Sequence, residues 1–82
     1  MPDSIEISRE LACQVLWVFG YEGFPGGTFQ SKVLDLIAHA DKVNEARLTL
    51  AFPAEVAAVR IAKHDEDGIA KLRAIADGQA AA

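Results

Sequence analysis

Apolar residues recur at helical spacing along most of the chain, and polar breaks between the runs divide it into four or five short segments. Ile7, Leu11, Val15 and Val18 share one face of a helix predicted over about Ser8 to Phe19. Ser8 is its N-cap, with Ser4 as a rival, and Arg9 and Glu10 fill the first turn. Leu16, Trp17 and Phe19 widen the apolar surface almost all round, which suits a central helix or one that offers a second face to a partner. Gly20 is the natural stop. After a loop, Thr28 is the expected cap of a second helix over Phe29 to Ala40, burying Phe29, Val33, Leu36, Ile37 and Ala40 while Lys32, Asp35 and His39 line the other side.

Asp41 is the next cap, for a third helix over Lys42 to Ala51 that buries Val43, Ala46 and Leu50. Arg47 to Phe52 also alternates between apolar and polar, so a short strand paired with Ile5 to Ile7 is the rival reading. Pro53 ends that element and suits the first turn of a fourth helix, to about Lys63, with Val56, Val59 and Ala62 inward. Asp65 then caps a last helix from about Glu66 to Asp77, whose stripe is Ile69, Leu72, Ile75 and Ala76. Gly78 ends it. The predicted fold class is all-α: a compact bundle of four or five short helices, one domain over residues 1–78 with a frayed tail at 79–82, and a loop rich in Gly, Pro and aromatics after the first helix.

That loop is the most distinctive stretch. Gly20 to Phe29 contains four glycines, one proline and three aromatic residues, a composition that shapes backbone and supplies large apolar area with little side-chain entropy to lose. Tyr21, Phe24 and Trp17 form a candidate aromatic anchor for a protein partner, with Glu22 as a rim contact. Tyr21 is the ring most expected to stay partly exposed, because its hydroxyl favours a wet edge. The competing expectation is that Phe24 and Phe29 tuck beneath the loop and plug one end of the core.

Composition narrows the function classes. A chain of 82 residues buries only roughly 60% of its unfolded surface, and 51% hydrophobic residues make self-association or a partner a fair expectation, softened by the many alanines. The net charge is −4, all of it from residues 1–41, where two basic residues meet six acidic ones; residues 42–82 hold six of each. An acidic chain is a poor match for nucleic acid, whose phosphates seek cations. The lone Cys13 cannot form an intramolecular disulfide, reads as a small core hydrophobe, and suits a reducing cytoplasmic setting. No apolar run reaches the ~18 residues of a membrane span.

Each candidate chemical motif fails on spacing. The glycine-rich loop lacks the Lys that a phosphate-cradling P-loop needs after its last Gly, since Thr28 and Phe29 follow Gly27. A dinucleotide fingerprint needs a preceding strand, but Leu11 to Phe19 has helical spacing. Asp65, Asp67 and Gly68 echo a calcium loop, yet Lys63 and Ala74 would stand where its end carboxylates belong. His39 lies near Asp35 and Asp41, and His64 near a helix end; both suit surface charge better than acid–base work. No Ser/His/Asp or Cys/His set can be assembled. The expectation is a non-catalytic protein with no cofactor and no metal. A helix-turn-helix built from the second and third helices, presenting Lys42, Asn44, Glu45, Arg47 and Thr49 to DNA, is the alternative, though Glu45 in that row opposes phosphate.

The run Gly20-Tyr21-Glu22-Gly23-Phe24-Pro25-Gly26-Gly27-Thr28-Phe29, with Ala40-Asp41 and Ala51-Phe52-Pro53 further on, resembles small proteins of unassigned function from actinobacteria and their bacteriophages. The resemblance covers about residues 8 to 60 and carries no catalytic motif. It implies a context: a phage-encoded accessory protein that acts by binding a host protein.

Overall fold

The computed structural model describes residues 6–78. The Ser4 cap, the Ile5 end of a pairing strand and the tail from Gln79 lie outside the described residues. Five helices follow one another: α1 (Arg9–Val18), α2 (Thr28–Ala38), α3 (Lys42–Ala51), α4 (Pro53–His64) and α5 (Gly68–Ala76). The described residues contain no strand, so Arg47 to Phe52 belongs to α3 and the turn after it. None of these helices is long and apolar enough to cross a membrane.

Local chemistry sets several boundaries where expected. Ser8 Oγ accepts the Leu11 N–H at 3.0 Å, and Asp41 Oδ1 accepts the Asn44 N–H at 2.8 Å, each relieving one orphan donor of a first turn. Pro53 stands in the first turn of α4, where its missing N–H costs nothing. Two expected caps are corrected. Gly27, not Thr28, is the N-cap residue of α2; Thr28 is already helical and no side chain caps that end. Asp65 does not cap α5, whose N-cap residue is Asp67 without a side-chain bond. The Asp65 carbonyl instead accepts the Gly68 N–H at 3.1 Å, while its carboxylate pairs with Lys71 at 2.9 Å across the α4–α5 corner. That corner is tight, because a Cβ at Gly68 would run into the Ile61 carbonyl.

The core joins Leu11, Ala12, Val15 and Leu16 of α1 to Val33, Leu34 and Ile37 of α2, Val56, Ala58 and Val59 of α4, and Leu72 of α5. Fully burying a side chain of the Val, Leu or Ile kind contributes about 1.5–3 kcal/mol. α1 packs on α5, α4 and α2, and α4 touches all four other helices, so these two form the centre. Ile69, Ile75 and Ala76 pack partly buried against the cluster, as the α5 stripe predicts.

Two expected stripes are wrong in phase. α2 turns Val33, Leu34 and Ile37 inward and leaves Phe29 and Leu36 exposed, so its buried face is rotated toward Leu34; Ala40 lies beyond its end. α3 buries no residue at all: Val43, Ala46 and Leu50 face solvent, Leu50 with 88% of its surface open. The reason is topological. α3 leans on α4 through Leu48 and Glu45, half-buried residues on the side opposite the apolar stripe that periodicity selects.

Candidate functional site

The loop between α1 and α2 is held in place by backbone chemistry first. At the end of α1 the Gly20 N–H donates to the Trp17 carbonyl at 3.0 Å and the Tyr21 N–H to the Leu16 carbonyl at 2.9 Å. With Gly20 at φ 88°, this is a Schellman turn, and it folds Tyr21 back beside the last turn of the helix. Gly23, at φ 112°, then lies so close to the Cys13 carbonyl that no Cβ could fit, which pins the chain to the outer side of α1. Further along, Gly26 sits against the Gln14 side chain.

Among the described residues Gln14 is the one polar side chain in the core, only 6% exposed. Its Oε1 accepts a bond from the half-buried Gln30 Nε2 at 3.0 Å, so a partly buried amide pair links α1 to α2 beneath the loop. Periodicity gives no sign of this pair, because glutamine belongs by type to the surface.

The third support comes from α5. Arg73 donates from Nε to Glu22 Oε2 at 2.7 Å and from a terminal nitrogen to Oε1 at 3.0 Å, a two-pronged charge-assisted contact. The same guanidinium carbon lies 5.6 Å from the centre of the Tyr21 ring, within cation–π range. The bonds from Arg73 hold the Glu22 carboxyl below the usual carboxylate range and push the guanidinium pKa further up. Glu22 is therefore engaged within the chain rather than free at a rim. Arg73 is the functional candidate that sequence reasoning misses, since 51 residues separate it from Glu22 and no local pattern joins them.

The four residues expected to meet a partner are all on the surface. Trp17 is 49% exposed, Tyr21 44% and Phe24 46%, and Glu22 lies between the last two. Phe24 and Phe29 do not plug the core; Phe29 is exposed for 72% of its area. On its other flank the loop borders, through Gly26, an open cleft of about 400 Å³ whose rim carries Glu6, Glu10 and Glu55.

The remaining candidates stay apart. His39 Nδ1 lies 2.8 Å from the Asp35 carbonyl and 3.6 Å from its carboxylate at the exposed C-terminal end of α2. Among the described residues no group of three His, Cys, Asp or Glu is placed to hold a metal ion. Cys13 is half-buried under the loop. Fold and surface together define a small all-α bundle that carries a braced aromatic loop. Comparison with protein-family models, with curated proteins and with solved structures finds no match to this chain.

Proposed function

We propose that this protein is a non-catalytic binding module that seats a protein partner on Trp17, Tyr21 and Phe24. The observation that supports this reading is the combination of exposure with bracing: large rings left half in water at the end of α1 and on a loop fixed at Gly20, Gly23 and Arg73. Rings held in place lose little entropy on binding, and aromatic residues with arginine dominate interface energetics. The Glu22–Arg73 pair forms part of the same surface and supplies polar contacts beside the rings. The acidic rim of Glu6, Glu10 and Glu55 favours a partner with a basic edge. In the setting that the resemblance implies, an actinobacterium or its phage, the partner is a host protein or a second copy of this chain.

The DNA-binding alternative is the weaker proposal. In a helix-turn-helix the two helices pack on one another, whereas α2 and α3 are held chiefly through α4. One observation favours it: Glu45 is drawn toward Arg60, 3.9 Å away, and no longer stands in the outward row of Lys42, Asn44 and Arg47.

A pull-down from host lysate compares wild type with Tyr21→Ala/Phe24→Ala, with nuclease treatment in parallel. The expected result is a protein retained by wild type, lost with the double variant and indifferent to nuclease. Both variants should show the same helical circular dichroism, because neither ring is buried. Partners that vanish with nuclease would instead support the DNA-binding reading.

A further inference from the structure

A second cleft, of about 380 Å³, opens on a different part of the molecule, where the first turn of α3 faces the C-terminal half of α4. Lys42, Arg60, Lys63 and His64 line it, together with Asp41 and Glu45. Three of the chain's eight Lys and Arg residues and one of its two histidines therefore converge on one hollow of a protein whose net charge is −4. Gathering like charges opposes folding unless something negative offsets it. The two carboxylates present offset two of the three positive charges, and each already has a partner. Asp41 Oδ1 accepts the Asn44 N–H as the cap of α3, and Glu45 Oε1 lies 3.9 Å from Arg60 Nε. Among the described residues, Lys42 and Lys63 form no ion pair with a carboxylate. The dipole of α4 accounts for Lys63 and His64, which occupy its last turn, but not for Lys42 on α3 or Arg60 one turn earlier.

We propose that this cleft binds the phosphate group of a small phosphorylated molecule, of the size of a sugar phosphate or mononucleotide. The two ammonium groups and the guanidinium exceed the two lining carboxylates by one positive charge, and the Arg60 fork can turn from its long contact with Glu45 to two phosphate oxygens. The volume exceeds what a phosphate ion alone needs and falls at the lower end of small-molecule sites. The site lies on α3 and α4, away from the aromatic loop between α1 and α2, and does not depend on that loop's function.

The test is a titration followed by amide correlation spectra at constant ionic strength. Glucose 6-phosphate, adenosine 5′-monophosphate and a short oligonucleotide are the probes, and glucose and chloride the controls. The expected result is saturable shifts at residues 40–45 and 60–64 with both phosphates, absent with glucose. In Lys42→Ala/Lys63→Ala, folded by circular dichroism, the affinity falls about tenfold for each charge-assisted contact removed. Should that variant unfold, Arg60→Gln carries the same expectation of a roughly tenfold loss. Shifts reproduced by glucose or by chloride, or an unchanged affinity in the folded variants, would overturn the proposal. So would binding seen only with an oligonucleotide and abolished by moderate salt, which would assign the cations to a nucleic-acid backbone.

Discussion

Arg73 shows how one residue orders a surface that it contributes little to stabilise. Both members of its pair with Glu22 are about half exposed, and exposed pairs seldom add much to folding. Arg73→Ala should therefore leave the melting temperature nearly unchanged while raising the mobility of Tyr21 to Phe24 in heteronuclear NOE measurements, with a loss of partner affinity. Arg73→Lys should restore only part of that order, because an ammonium cannot make the two-pronged contact. Acid should act in the same direction. The folded Glu22 carboxyl is held below its unfolded value, so the pair is fully formed above the usual carboxylate range and is lost as the pH falls through the lowered folded value. Loop order should follow that titration, and a loop equally ordered at pH 7 and in acid would show that Arg73 does not brace it. Glycine makes a second contrast. Gly27, at φ 103° and ψ 169°, has open space around it but a backbone conformation essentially reserved for glycine, so Gly27→Ala should cost about 1–3 kcal/mol of strain. Gly23→Ala adds a collision with the Cys13 carbonyl and should cost roughly 3 kcal/mol or more, with urea denaturation as the measurement.

Among the elements, α3 departs furthest from its pattern. A helix that buries nothing survives through its Asp41 cap and its contact with α4, since ten residues are too few for a stable helix alone. Replacing Val43 or Leu50 by Gln should change stability by no more than about 0.5 kcal/mol. Leu34→Ala, on a side chain with no exposed surface, should cost about 2–5 kcal/mol in the same chemical denaturation series. Periodicity alone would have ranked Leu50 above Leu34. Stripes at 3.6-residue spacing reveal that a segment is helical, but Phe29, Leu36, Val43 and Leu50 could each have lain on a buried face until the neighbouring helices chose another. Caps were legible where the side chain had a free amide within reach, at Ser8 and Asp41, and misleading at Asp65, whose carboxylate was taken by Lys71.

At the scale of the molecule, α1, α2, α4 and α5 share one core against which α3 leans through Leu48, and α1 and α4 carry most of the packing. No helix is buried on a core of its own, so unfolding should be a single cooperative event. Trp17 is the only tryptophan and stands at the edge of the candidate surface. Its fluorescence and the far-ultraviolet dichroism should report coincident denaturation curves; an earlier fluorescence transition would show that the end of α1 and its loop come away as a separate unit. Among the described residues seven large hydrophobic side chains are exposed, spread over the α1 end, the loop, α2 and α3. Sedimentation equilibrium over a range of concentrations separates the two partner classes in the proposal. A dimer dissolved by Tyr21→Ala/Phe24→Ala would name the second copy as the partner, whereas a monomer at all concentrations leaves the host protein.

The amino-acid sequence by itself determined an all-α chain of four or five short helices, their order, the cap at Ser8, the stop at Gly20, and a loop rich in Gly, Pro and aromatics, because caps, breaks and period are local properties of a few neighbouring residues. It also singled out Trp17, Tyr21, Glu22 and Phe24, whose types are conspicuous in such a loop. Only the tertiary structure decided which faces of α2 and α3 meet the core, that Gln14 and Gln30 pair beneath the loop, and that Arg73 arrives from 51 residues away to hold Glu22 and Tyr21. The clefts belong to the same class. Each gathers residues from separate segments, and contacts of that kind come into being only when the helices choose their partners in packing.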